Sequence, residues 1–307
     1  MLDDVPVREV RNRKIRLKLT DFCNLQCPFC HSEGAVGAND VDVDDRVLLD
    51  ALSRLRESFD AVHLTGGEPT SYHDLDRIVA LLRSLDYKIA ITSNGLFNVR
   101  RVSRALALCE YVNISFHTLT PGYFEAFVRT PAKSARTIDV ITSNVDEIRE
   151  MLPVRFNTVI SGAKDEQQLR SVHEFAESRG IPLKLVPDWR SNHDSKRYAH
   201  TYLADLGYTF SEVIKIVPGS NVRRMFTHPQ RLTVELKDIE HFRPDFLCEG
   251  CQIVDKCVES LSFVRIERSP AQFRLCIYKP EMTADAFFDT FDRNLKPLFA
   301  AAAAELD

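Results

Sequence analysis

The run Thr20-Asp21-Phe22-Cys23-Asn24-Leu25-Gln26-Cys27-Pro28-Phe29-Cys30 carries three cysteines within eight residues. The spacing is C-x3-C-x2-C. The loop is polar and broken by Pro28, so cysteines packed only for their shape are a poor reading of it. Thiolates this close can converge on one metal centre. An iron–sulfur cube bound by cysteine takes one protein ligand per iron, four in all. Three ligands leave one iron open to something else. The competing assignment is a zinc site made of Cys23, Cys27, Cys30 and His31, since three cysteines and a histidine also form a tetrahedral set.

Upstream of the loop, residues 14–19 alternate Ile15, Leu17 and Leu19 with Arg16 and Lys18, the period of a strand. Downstream, residues 61–64 form a short apolar strand that runs into Thr65-Gly66-Gly67-Glu68-Pro69. Glycines there let the backbone approach a ligand closely. Further strands are expected at 88–92, 111–116, 154–160 and 183–186. Helical spacing lies between them: Leu48, Leu52, Leu55 and Phe59 behind a cap at Asp44 or Asp45; Leu75, Ile78 and Leu82; Val102, Leu106 and Cys109; Ile138, Ile141, Val145, Ile148 and Leu152; Leu169, Val172 and Ala176. Alternation at this pitch implies an α/β chain with a parallel sheet and helices outside. Six units over residues 12–190 fall short of the eight of a closed TIM barrel, so a partial (β/α)6 barrel is expected. In such barrels the C-terminal strand ends carry the chemistry, and both the cysteine loop and the glycine turn follow strands.

Residues 191–307 read as a C-terminal extension. Stretch 189–202 is polar, a connection with a short helix, and 215–237 mixes strand-like pieces with Pro218, Gly219 and Pro229. Then comes Cys248-x2-Cys251-x5-Cys257-x18-Cys276, and an Ala-rich helix over 284–304 closes the sequence. The four cysteines can saturate an iron–sulfur cube or hold a structural zinc. Cys109 sits on an apolar helical face and reads as core.

The 307 residues are 44% hydrophobic and 27% charged, with a net charge of −4. That is ordinary globular composition and lacks the basic excess of a non-specific nucleic-acid or membrane-surface binder. No run approaches the ~20 apolar residues of a membrane span, and the N-terminus lacks a signal-peptide layout. Seven of eight cysteines fall in two groups, which suggests metal ligands in a reducing cytoplasm rather than disulfides.

The cysteine loop and the Gly-Gly-Glu-Pro turn together resemble the radical S-adenosylmethionine (radical SAM) superfamily. The resemblance implies a [4Fe-4S] cluster on Cys23, Cys27 and Cys30 whose open iron holds the amino and carboxylate groups of SAM. It implies reductive cleavage to a 5′-deoxyadenosyl radical, which takes hydrogen from a substrate, and a flavodoxin- or ferredoxin-type electron donor. Position by position, Phe29 matches an aromatic near the SAM adenine, and Gly66, Gly67 and Glu68 match the turn around its methionine end. Ser93, Asn94, Ser115 and Asn157 match further SAM contacts. His117 stands where many relatives carry Asp; a proton-handling role is set against a structural one.

Within the superfamily the sequence is similar to the GTP 3′,8-cyclase branch of molybdenum-cofactor biosynthesis. Shared features are residues 15–21, Cys30-His31-Ser32-Glu33-Gly34, the glycine turn, Asn157-Thr158-Val159, and Cys248-x2-Cys251 with Arg274-Leu275-Cys276-Ile277-Tyr278. Arg16 and Arg155 match basic substrate contacts. Cys257 is extra, and C-x2-C-x5-C resembles the SPASM or twitch auxiliary domains of peptide-maturing enzymes, implying a second [4Fe-4S] cluster. Thr70-Ser71-Tyr72-His73 replaces basic residues expected beside a triphosphate, and the cyclase's Gly-Gly tail is missing. The expectation is a less phosphorylated small molecule, nucleoside- or sugar-like. A peptide maturase is the alternative, although only thirteen residues precede the first expected strand. A metal-binding scaffold without catalysis is the non-enzymatic alternative.

Overall fold

A computed structural model describes residues 5–30, 45–127, 133–257, 259, 261, 264–267 and 272–306. His31 to Gly34 and Asp44 lie outside these residues, and so does the zinc reading that needs His31. In chain order the strands are β1 (Val7–Arg11), β2 (Lys14–Lys18), β3 (Ala61–Thr65), β4 (Lys88–Ser93), β5 (Tyr111–Ser115), β6 (Val154–Ile160), β7 (Leu183–Pro187), β8 (Thr209–Val217), β9 (Asn221–His228), β10 (Arg231–Ile239), β11 (Val264–Glu267) and β12 (Gln272–Arg274). They form one curled sheet in the order β1-β8-β9-β10-β7-β6-β5-β4-β3-β2-β11-β12.

Strands β2 to β7 are the six expected parallel strands, each hydrogen-bonded to the next in sequence. Between them run α1 (Asp45–Leu55), α2 (Leu75–Ser84), α3 (Val99–Leu106), the short α4 (Pro121–Phe124), α5 (Ser134–Ile148) and α6 (Glu166–Ser178). The strand period of two decides which face is which. Ile15 and Leu17, Val62 and Leu64, Val112 and Ile114 are buried in one core with Leu48, Leu52 and Leu55 of α1 and Ile138, Ile141 and Val145 of α5. Each such buried aliphatic side chain contributes about 1.5–3 kcal/mol. The alternate residues, among them Arg16, His63, Asn113 and Asn157, point to the concave side and line a cavity.

The chain past residue 190 adds strands to both edges of that sheet. On one side β10 runs parallel to β7, and β9 and β8 follow antiparallel. On the other, β11 runs parallel to β2 and carries β12. The N-terminal β1, which no periodicity announced, pairs with β8. Helix α7 (Asn192–Asp205) is longer than the short helix expected, because its buried face uses Ser195 and Ala199 beside Tyr202 and Leu203 and so carries little apolar signal. Stretch 215–237 resolves into the end of β8, β9 and most of β10. After α8 (Asp245–Cys248), the C-terminal helix is α9 (Ala284–Thr290), a π turn at Phe291–Leu295, and α10 (Lys296–Ala304). Phe291 and Phe299 pack on Phe59, just past α1, fastening this helix to the barrel.

Candidate active site

The cysteine loop leaves the C-terminal end of β2 and is held by backbone contacts before any side chain is considered. The Gly67 N–H donates to the Thr20 carbonyl at 2.7 Å and the Glu68 N–H to that of Phe22 at 2.7 Å. These contacts explain the glycines. A Cβ at Gly67 would stand 2.1 Å from the Phe22 carbonyl oxygen, and one at Gly66, whose φ is +147°, 2.6 Å from that of Thr20. The close approach that glycine permits here is to the start of the cysteine loop.

Glu68 organises the turn. Its side chain is 1% exposed. Oε1 accepts from the Thr70 N–H (3.0 Å), Thr70 Oγ1 (2.6 Å) and Ser93 Oγ (2.8 Å), and Oε2 from the Asn94 N–H (2.7 Å). Burial still pushes its carboxyl above the usual range against those donors. Asn94 passes the connection on: its Nδ2 donates to Asn24 Oδ1 at 2.7 Å and approaches Cys23 Sγ at 3.8 Å. Cys23 Sγ also accepts from the Leu25 N–H at 3.4 Å. The Gln26 N–H bonds the Phe127 carbonyl, and Arg190 Nη1 donates to the Pro28 carbonyl at 2.9 Å. Arg190 is itself gripped by buried Asp188 beyond β7.

Phe29 packs edge-on against His117 and Phe127, with ring centroids 4.6 and 5.4 Å away. His117 Nδ1 accepts from the Val159 N–H at 3.1 Å, which assigns its proton to Nε2. Burial pushes this imidazole down to about 3, so it stays neutral at working pH and presents an N–H donor. Ser115 and Asn157 face each other across β5 and β6 and line the cavity. Among the described residues neither side chain makes a hydrogen bond, which leaves both open to a ligand. Ser93 and Asn94 also line the cavity, with their polar atoms turned to Glu68 and the cysteine loop.

The cavity, about 890 Å³, runs from Cys23, Cys27 and Cys30 down the inside of the sheet. Ten lysines and arginines line it against six carboxylates, in a chain whose net charge is −4. Lys184 pairs with Glu235 at 2.6 Å, and Arg265, 5% exposed, reaches Glu259 at 3.9 Å. Arg16 stands beside Arg265 in the β2–β11 register. Lys237 faces the same space and makes no ion pair among the described residues; burial, with Arg16, Lys184 and Arg265 nearby, depresses its ammonium against the pull of Glu259. Sequence reading missed Lys184, Lys237 and Arg265. The signal was present in charges alternating with apolar residues: Leu183-Lys184-Leu185, Glu235-Leu236-Lys237 and Val264-Arg265-Ile266. By contrast Tyr72 is buried and His73 exposed, and neither lines the cavity.

The loop thiols suit an iron–sulfur cube. Burial first, and then Cys23 and Cys30, push Cys27 up to about 12, so the three are close enough to repel as thiolates. Bare thiolates are disfavoured there, and a cationic cluster removes the penalty. Among the described residues no three His, Cys, Asp or Glu groups converge tightly enough for one ion. A cube asks for one ligand per iron, spread around it, rather than convergence on a point. In the extension, burial raises Cys248, and Cys276, Cys257 and Cys251 raise it further, which brings all four cysteines into one group.

Comparisons with known proteins agree with this geometry. Residues 17–176 match the family model described as the radical SAM superfamily. A probable GTP 3′,8-cyclase of Saccharolobus solfataricus is 26% identical over 283 residues, covering 88% of this chain and 84% of the relative. One from Sulfolobus acidocaldarius is 25% identical over 300 residues, covering 92% and 86%. Among solved structures, Streptococcus suis SuiB bound to S-adenosylmethionine superposes with a TM-score of 0.60 at 16% identity, over 95% of this chain and 67% of that one. No helix among the described residues is long and apolar enough to cross a membrane. With more than half its length matched by the family model and the cysteine loop and glycine turn joined at one end of the barrel, this chain belongs to the radical SAM superfamily and is a radical SAM enzyme.

Proposed function

We propose that the enzyme acts on an anionic small molecule, with residues 12–190 as the radical-generating barrel and 191–307 as an extension that completes the substrate cavity and carries a second cluster. The carrying observation is the cationic excess of a cavity that begins at the cysteine loop. Cys23, Cys27 and Cys30 would hold a [4Fe-4S] cluster, which would supply the electron for reductive cleavage of SAM. The chain's own residues do the rest. The Gly66–Glu68 turn borders the methionine end of SAM, where a carboxyl raised by burial gains from a neighbouring ammonium. Phe29 gives the adenine an apolar wall, and Ser115 and Asn157 offer unengaged polar groups. His117 donates a hydrogen bond and moves no proton. Arg16 holds an anionic substrate group. Cys248, Cys251, Cys257 and Cys276 would together hold a second cube and, by saturating it, would leave the substrate no iron to bind. A flavodoxin- or ferredoxin-type protein delivers the electron.

Genuine GTP 3′,8-cyclase activity is the second reading, favoured by the relatives at 26% identity. Incubating reduced enzyme with SAM and GTP, and following products by mass, separates the two. We expect 5′-deoxyadenosine without multiple-turnover cyclisation of GTP. Sustained cyclisation would replace our substrate assignment with the cyclase one.

A further inference from the structure

The cavity has a second end. Its lining includes the first residues of several barrel strands as well as the cysteines. Lys14 opens β2, Lys88 opens β4, Tyr111 opens β5, and Arg155 is second in β6. These positions lie at the strand N-termini. Lys14 stands four residues, roughly 13 Å of strand, from the last residue of β2. Lys88 and Arg155 are exposed although they line the cavity, so the cavity opens to solvent here.

The charge of this lower mouth is one-sided. Arg11, Lys14, Lys88 and Arg155 all line it, and none makes an ion pair among the described residues. Of the carboxylates near them, Asp60 is held by Arg13 at 2.8 Å, and Glu235, which also feels Arg155, is held by Lys184 at 2.6 Å. Lys14 Nζ instead donates to the neutral Tyr111 hydroxyl at 3.0 Å, and the Arg155 guanidinium lies 4.2 Å from the Tyr111 ring centre. In register, Lys14 and Lys88 flank Ala61, which puts two lysines about 9.6 Å apart across a methyl side chain. Cations turned toward a shared, partly enclosed space repel one another and focus an anion-attracting field into it.

Resting on the anionic-substrate reading above, the geometry points to a phosphate-binding vestibule at this lower mouth, with Lys14, Lys88 and Arg155 as its contacts. It takes the phosphate or diphosphate of an elongated substrate whose other end lies toward the cysteine loop. Arg155 thereby acts at the entrance, two residues before Asn157 on the same face of β6.

Calorimetry on the full, anaerobically reconstituted protein tests this with inorganic pyrophosphate as the probe. Saturable one-to-one binding is expected, weakening as salt rises from about 50 to about 300 mM. The Lys14→Met/Lys88→Met double variant should bind at least about tenfold more weakly. Lys88→Arg should bind as wild type, and so should Lys296→Met, which removes an outer charge paired with Glu57. Absence of saturable binding to wild type, equal binding by the double variant, or citrate binding as tightly as pyrophosphate would each overturn the assignment. SAM binding by the same wild-type sample reports the upper site independently. A protein that binds SAM but not pyrophosphate loses only the vestibule, and one that binds pyrophosphate but not SAM loses only the radical reading.

Discussion

Around Cys23 the chain is tied from several directions: Gly67 and Glu68 from β3, Asn94 from β4, the Phe127 carbonyl, and Arg190 from beyond β7. Among the described residues the backbone ties of Cys248 and Cys251 are local, whereas Cys276 follows β12, which is paired to β11 in the sheet. Cys248 ends a four-residue helix, the Cys251 N–H bonds the Cys248 carbonyl at 3.1 Å, and the Cys257 N–H reaches Val254 at 3.4 Å. The first group is therefore positioned by the barrel, while in the second the sheet carries Cys276 and short turns carry Cys248, Cys251 and Cys257. Preorganised geometry is what a reaction at an open iron needs. A saturated cluster asks only that four thiols meet.

Gly67→Ala probes the barrel side of this contrast and should have the largest effect. The new Cβ meets backbone, which cannot rotate away as a side chain can. Overpacking costs about 1–3 kcal/mol, and displacement of a reacting group by about 1 Å can cost ~100-fold in rate. We expect a loss of at least that order in SAM cleavage, measured as 5′-deoxyadenosine, in a protein whose circular dichroism is unchanged. Wild-type cleavage would show that the glycine contacts do not position the loop.

Cys248→Ala with Cys251→Ala probes the other side. Iron should fall by about half, to about four per chain. The electron-paramagnetic-resonance signal that shifts on adding SAM should persist. Loss of that signal in a folded variant would mean that the two groups are not independent.

A smaller effect concerns acid stability in the region joining barrel and extension. His173 on α6 bonds the hydroxyls of Tyr202 and Tyr208 at 3.0 Å each, and burial holds its imidazole down at about 4. Unfolded, it titrates near 6.5. Between those values the unfolded chain binds a proton that the folded one does not, so stability falls as pH drops from about 6.5 toward 4 and is fully present above 6.5. The thermal midpoint of wild type should drop between pH 7.5 and 5, and His173→Gln should lose part of that dependence. An equal acid loss in the variant would place the effect elsewhere.

The barrel was legible because its strands alternate. Residues 154–160 read as a strand from period alone, and β6 spans Val154–Ile160. The cysteine loop was legible because its ligands are adjacent in sequence. What could not be read was long-range. Arg190 and Pro28 are 162 residues apart, and no local pattern links them. The same holds for β11 supplying Arg265 beside Arg16. β1 is five residues with three charges and little apolar signal. Tyr72 and His73 misled because adjacency to the glycine turn in sequence is not adjacency to the cavity.

The most direct test of the central claim is iron, sulfide and 5′-deoxyadenosine measured together on anaerobically reconstituted wild type and on the variant with Cys23, Cys27 and Cys30 all changed to Ala. With both cysteine groups occupied, wild type should hold about eight irons with matching sulfide and cleave SAM only when reduced. The variant should keep about half the iron and release no 5′-deoxyadenosine. A wild-type protein that binds zinc without sulfide, or a variant that still cleaves SAM, would contradict the account.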